Sequence, residues 1–276
     1  MSLLRYRPAT AIGQFVECFW WSERSEPQTY CEHILPSGRA QIVFALHDDP
    51  IVYRASGSSG WAAWRGSVVH GPQWRHYIVG PKSRGAVMGV SFLPGCASAV
   101  LGVAVSELAD QHVSLDAIWG KRGAELQQRL RAALDPQAAF RTLETHLTAR
   151  IQTPLLMHPA VARALTSSGL SFRISAIQRE AGCSPRHFIA LFNSSVGVTP
   201  KHYYRIQRFN IVAQRLASKA SITLADLAAS VGYSDQAHLT REFREFAGVP
   251  PTRYRGRYNS PLHHQLADPD KAAEPR

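Results

Sequence analysis

Two stretches decide the reading. The first is Ile174-Ser175-Ala176-Ile177-Gln178-Arg179-Glu180-Ala181-Gly182-Cys183-Ser184, running on through Pro185 to Phe192. The second is Leu224-Ala225-Asp226-Leu227-Ala228-Ala229-Ser230-Val231-Gly232-Tyr233-Ser234, running on through Asp235 to Phe243. Gly182 and Gly232 match at a separation of 50. After one inserted residue the match resumes, pairing Phe192 with Phe243, Gly197 with Gly248, Pro200 with Pro251 and Tyr203 with Tyr254. Self-similarity of this kind marks a duplicated unit. In each copy an amphipathic helix ends at a glycine, which tolerates the left-handed conformation of a tight turn. Ser184 and Ser234 are then expected to cap the next helix. That helix buries Phe188 and Phe192 in the first copy, Leu239 and Phe243 in the second. Its other face stays polar and short-chained. Helix, Gly-containing turn, helix is the helix-turn-helix arrangement.

Between the copies, Tyr203 to Ser218 reads as one helix. Its sixteen residues span about 24 Å, a rigid spacer. A second helix of such a unit fits the major groove of B-DNA, and two on one face reach successive segments when about 34 Å apart. The charge agrees. The 276-residue chain carries a formal +11, of which residues 1–155 hold +3 and the shorter 156–276 hold +8. A basic module gains from a polyanion by releasing its counterions.

The first half is a different object. All six Trp lie there. Ile42 to Leu46, Ser67 to His70 and Ala86 to Phe92 are strand-length apolar runs bounded by Gly and Pro, and Ala55 to Gly60 reads as a loop tip. After Gly95 the period turns helical: Ala97 to Val103, Glu125 to Leu134 and Pro136 to Arg150. Thr153 to Pro159 reads as a linker, its prolines disfavouring helix in the residues before them. The expected fold class is α+β. Residues 1–95 form a small β-rich, barrel or cupin-like domain. Residues 96–155 form a helical connector and candidate dimerisation element. Residues 156–258 form an all-α domain with two helix-turn-helix units, and 259–276 a disordered tail.

Two helix-turn-helix units joined by a helix, with a Gly-Tyr-Ser turn at 232–234, Phe243, and the close Gly248-Val249-Pro250-Pro251-Thr252-Arg253-Tyr254-Arg255, resemble the AraC/XylS family of bacterial transcription regulators over roughly residues 160–257. The first half resembles an AraC-associated regulatory domain through His33-Ile34-Leu35-Pro36-Ser37-Gly38-Arg39, Gly71-Pro72-Gln73, Gly89 to Gly95, Leu101-Gly102-Val103 and Leu115 to Gly120. The resemblance implies a sequence-specific DNA-binding regulator. It places Gln236, Ala237, Thr240 and Arg241 at base-reading positions of the second unit, and Arg186, Ile189 and Ala190 at those of the first. Arg241 suits guanine O6 and N7, and Gln236 suits adenine N6 and N7. Ile189 and Ala190 depart from the usual polar readers; they can touch only thymine methyls or nothing. Ser184, Thr199, Lys201, His202 and Arg253 are candidate backbone contacts, which position without reading sequence.

The remaining expectations follow from composition. Trp20, Trp61, Trp64 and Trp74 are candidates to line an apolar effector pocket, with ordinary core packing as the plainer alternative. His33, His47, His70 and His76 show no His-x-His spacing, so no metal is expected, nor any cofactor. Four cysteines (Cys18, Cys31, Cys96, Cys183) show no CxxC pair, which points to a reducing cytoplasm. No run approaches the roughly 18 to 20 apolar residues of a bilayer span, and Met1 to Pro8 has no signal-peptide core. The expected partners are double-stranded DNA, a small-molecule effector and RNA polymerase, but no membrane, with the chain a monomer or homodimer. Two other classes compete: a DNA-modifying enzyme with a borrowed reader, and a protein that sequesters a small molecule. The first would want a nucleophilic cysteine motif such as Pro-Cys-His, which does not occur.

Overall fold

The computed structural model describes residues 2–26, 31–81, 85–151, 157–166, 184–218, 222–254 and 266–268. Two antiparallel sheets make up the first half. One runs β1-β2-β9-β4-β7-β10, formed by Ser2–Tyr6, Val16–Arg24, Gly85–Phe92, Gln41–Ala45, Ser67–His70 and His112–Ser114. The other runs β11-β3-β8-β5-β6, formed by Leu266–Asp268, Cys31–Ile34, Tyr77–Val79, Ile51–Ala55 and Ala62–Trp64.

Strand alternation sends side chains to two destinations. Phe19, Trp21, Ile42, Phe44, Met88 and Val90 leave the first sheet on one face and form the main core with the helices. Trp20, Val43, Val68 and Val87 leave it on the other and meet Trp64 of the second sheet. Trp20 lies opposite Gly89 on the neighbouring strand. A Cβ at Gly89 would sit 2.2 Å from the indole, so glycine makes the room the ring occupies.

Helices α1 (Ser98–Leu101), α2 (Leu115–Trp119), α3 (Lys121–Arg131) and α4 (Pro136–Arg150) cover the first sheet. Leu126, Leu130, Phe140, Leu143 and Leu147 are buried against it. The apolar faces of the expected connector are thus spent inside its own half. Glu144 of α4 ties down the N-terminal segment, accepting from the Tyr6 hydroxyl at 2.7 Å and the Thr10 hydroxyl at 2.7 Å. The helix expected over Glu125 to Leu134 instead spans α3, and Leu134 is 98% exposed. Asp135 takes the extended conformation of an N-cap and accepts from Ala138 N at 2.7 Å, so the chain must leave helix before it.

The second half holds α5 (Pro159–Thr166), α6 (Pro185–Val196), α7 (Pro200–Ala217), α8 (Leu224–Val231), α9 (Gln236–Ala247) and α10 (Pro251–Tyr254). The expected first helix of the first unit, with Cys183, lies outside the described residues. The tail expectation needs correction at three residues. Leu266–Asp268 pairs with Cys31–His33 as β11, because β3 otherwise offers an open edge there. Most of residues 259–276 lie outside the described residues.

Candidate nucleic-acid interface

The second helix of each unit is fixed at both ends. At α6 the Ser184 side chain accepts from His187 N at 3.3 Å, and Gly197 closes the helix at φ +85°. At α9 the cap is not Ser234. Asp235 accepts from His238 N at 2.7 Å, and Gly248 closes the helix at φ +74°. The residue inserted in the second copy falls in the turn, so Asp235, not Ser234, matches Ser184. Hydrogen bonding to that backbone N–H is the leading cause that holds the exposed Asp235 carboxyl below its ordinary pKa.

The buried faces are as expected. Phe188, Phe192 and Val196 of α6 pack with Ala160, Val161 and Ala164 of α5 and with Tyr203. Leu239, Phe243, Phe246 and Ala247 of α9 pack with α7 and α8. Opposite them, Arg186, His187, Ile189 and Ala190 are exposed on α6. Gln236, Ala237 and Arg241 are exposed on α9, with Thr240 half-buried. At the offset of 51, Arg186 corresponds to Ala237, Ile189 to Thr240 and Ala190 to Arg241.

The units differ in how they are anchored. Glu242 of α9 is 4% exposed and sits among cations. Arg205 Nε donates to it at 2.8 Å, Arg208 Nη2 at 2.9 and 3.0 Å, and the Tyr233 hydroxyl at 2.9 Å. Burial raises the Glu242 pKa, but the arginine hydrogen bonds and the Arg208 charge outweigh it and hold the carboxyl below the usual range. Arg208 also lies over the Tyr233 ring at 4.2 Å, and Arg205 reaches Glu245 at 2.6 Å. Arg205 and Arg208 of the spacer helix are thus committed to the second unit. Leu191 stands at the matching position of the first. Sequence reasoning missed this anchor. Its visible signal is a glutamate on the apolar face of α9 opposite arginines spaced three apart on α7.

The backbone-contact candidates divide. Ser184 and Thr199 are helix caps; Thr199 accepts from His202 N at 3.4 Å. Each cap hydroxyl keeps a proton to donate outward at a helix N-terminus, where anions are favoured. Lys201 and Arg253 are exposed. His202 is placed differently from these four. It is half-buried with its ring between Trp74 at 5.9 Å and Phe246 at 5.9 Å, and burial lowers its pKa. It packs the two halves together.

Part of that seam is built by residues that carried the resemblance of the first half. His76 N donates to Phe246 O at 3.1 Å, and His33 Nδ1 donates to Ala247 O at 3.2 Å. Two carbonyls in the last turn of α9, which helix geometry leaves without partners, are so satisfied. Gln207 Nε2 donates to Ser37 O at 3.4 Å, and Leu35 joins the core around α7 to α9. Gly197, the cap of α6, lies against Pro72 and Val105. The first half therefore touches both units.

Between the sheets lies a cavity that opens to solvent. Trp20, Ile34, Val43, Ile51, Trp64, Tyr77, Val79 and Val87 form its apolar walls, and Ser22, Arg24, Gln41, His47 and His70 its polar points. The Arg24 guanidinium donates to Glu32 at 2.6 Å. His70 Nδ1 and His112 Nδ1 share a hydrogen bond, and burial pushes the His112 pKa down to about 4. Of the four candidate tryptophans, Trp20 and Trp64 line the cavity. Trp61 lies under the Arg54 guanidinium at 5.0 Å, and Trp74 lies in the seam. Alternation explains the split: the inward positions of β2 and β6 hold Trp20 and Trp64, whereas Trp61 precedes β6 and Trp74 lies in the loop after β7. Among the described residues no group of three or more His, Cys, Asp or Glu could hold a metal ion.

Two helices with buried apolar faces on a basic scaffold, carried behind a β-sandwich with a cavity, define a class of protein, and comparison with known proteins agrees with it. Residues 177–257 match a helix-turn-helix domain family, and residues 4–114 match a domain of unknown function, DUF6597. The chain is 33% identical over 104 residues to a Streptomyces lividans protein described as an AraC-like transcription regulator, covering 36% of this chain and 34% of that one. It is 30% identical over 84 residues to the transcriptional regulator ExsA of Pseudomonas aeruginosa, 30% of each chain. It is 29% identical over 98 residues to the multiple antibiotic resistance protein MarA of Salmonella typhimurium, 33% of this chain and 76% of that one. Apart from MarA, the chain spans about a third of the length of these curated relatives. A structure of ToxT from Vibrio cholerae superposes with a TM-score of 0.45 at 9% identity, over 86% of this chain and 97% of that chain. The chain thus carries a helix-turn-helix domain behind a DUF6597 domain.

Proposed function

We propose that the chain is a sequence-specific, DNA-binding transcription regulator that lays α6 and α9 into successive major-groove segments. The observation that carries this is the opposed character of both helices. Each buries an aromatic face and exposes a short-chained or basic one, inside a segment of charge +8. In the second unit Arg241 reads guanine and Gln236 adenine, with Ala237 and Thr240 beside them. Arg186, Ile189 and Ala190 make up the reading strip of the first unit. Ser184, Thr199, Lys201 and Arg253 hold the phosphates and set the register. The cavity lined by Trp20 and Trp64 takes a small effector. The effector acts through the seam, by its different affinity for docked and loosened arrangements of the halves. RNA polymerase is the further partner, and the site of action is the cytoplasm. Among the described residues no helix is long and apolar enough to cross a membrane. The reading assigns no chemical step to any side chain.

Selection of bound duplex from a random pool tests this. A regulator enriches one sequence with two half-sites about a helical turn apart. A protein that only sequesters a small molecule enriches none.

A further inference from the structure

We propose that the first unit reads the 5-methyl group of thymine through Ile189, so that the two units read one site by different chemistry; this rests on the DNA-binding reading above. Ile189 is 43% exposed, and only Leu4 and Leu134 join it as exposed large hydrophobics among the described residues. It does not stand on a neutral surface. Spacings of three and four place Arg186, Ile189 and Ala190 on one strip of α6, and all three are exposed.

Two of those three side chains have neither donor nor acceptor. They cannot form the hydrogen bonds by which Gln236 and Arg241 suit bases. The major groove offers such side chains one feature, the methyl at C5 of thymine. In the second unit Thr240 holds the matching place with a single methyl and a hydroxyl, next to Arg241. The first unit has exchanged that pair for Ile and Ala. A protein partner fits the strip less well. The strip includes the exposed Arg186 and belongs to a segment of charge +8, which repels a second copy of this chain and favours a polyanion. Removing one methyl-sized apolar contact costs about fourfold in affinity, from about 0.8 kcal/mol per buried carbon.

The test uses the full chain and the duplex enriched by selection. Each thymine in turn is replaced by deoxyuridine, which keeps base pairing and loses only the methyl, and affinity is read by fluorescence anisotropy. The half-site of α9 is marked by the base position at which Arg241→Ala loses discrimination. The expected result is a loss of about fourfold at a thymine in the other half-site. Ile189→Ala should bind the thymine and uracil duplexes equally; the side chain is exposed, so the variant keeps the core. A parent protein indifferent to uracil throughout that half-site overturns the assignment and leaves the regulator reading intact. So does a half-site without thymine, or a variant that keeps the parent's thymine preference. A pool that enriches no sequence overturns both.

Discussion

Replacing Glu242 with glutamine keeps the shape of the side chain and removes its charge from between two arginines. Breaking a fully buried ion pair by removing one partner costs about 3–5 kcal/mol. Here the carboxylate is 4% exposed, but Arg205 and Arg208 are 26% and 23% exposed and can regain water. Glutamine also retains an acceptor for the Tyr233 hydroxyl. The expected cost is therefore about 2–3 kcal/mol, below the fully buried range. At a urea slope of about 2 kcal/mol/M the midpoint should fall by about 1 M, followed by far-UV circular dichroism, which reports the helices. Acid adds a second signature. The folded-state pKa of Glu242 lies below its unfolded value of about 4.3. Its contribution is therefore complete above that value and drains away as the pH falls through the lower, folded pKa. Glu242→Gln should lack that component. Glu245→Gln is the control; its carboxylate is 39% exposed and pairs with Arg205, so about 0.5 kcal/mol or less is expected. If Glu242→Gln costs no more than Glu245→Gln, the ionic anchor is not what holds α9 on the spacer helix.

Arg241→Ala should lose discrimination at one base position by about 1–3 kcal/mol, whereas Lys201→Ala should weaken all sequences equally and flatten the salt dependence by about one phosphate; competition binding at several salt concentrations separates the two, and identical behaviour would reject the assigned roles. Trp74→Ala should remove about 2–3 kcal/mol of packing from the seam, and calorimetry should then resolve two transitions for the two halves; one unchanged transition would count against the seam. Burial holds the folded His112 pKa down to about 4, against about 6.5 when unfolded. The stability it contributes is present above the unfolded value and lost as the pH falls toward the folded one. The near-UV circular dichroism melting point should drop across that interval, and a flat profile would show that the His70–His112 pair takes up charge without penalty.

How far these features could be read in advance depends on how local their causes are. The helices of the second half follow from spacing and from glycines at their ends, which are properties of neighbouring residues. The buried faces of α6 and α9 were legible in Phe188, Phe192, Leu239 and Phe243 for the same reason. The cap at α9 was misplaced by one residue because the copies differ by one insertion, and only the folded turn shows that Asp235 absorbs it. The Glu242 anchor joins residues 34 to 37 positions apart on different helices, so no window of local sequence contains it. Trp20 and Trp61 look alike in composition, yet one lines the cavity and the other lies under an arginine. That difference is decided by strand register. His33 and Leu35 were legible as marks of a domain type but not as the seat for α9, because their partners lie more than 160 residues away.

The place of Leu35 and Trp74 among the apolar residues of α7 to α9 has a practical corollary. Fragments cut at the linker near residue 155 do not liberate a finished reading head. They bare a greasy scar where the sandwich had been lodged, and they strip the end of α9 of the groups that bonded its carbonyls. Such fragments would be expected to clump or to grip nucleic acid loosely, so work on the isolated tail end would understate the discrimination of the intact molecule.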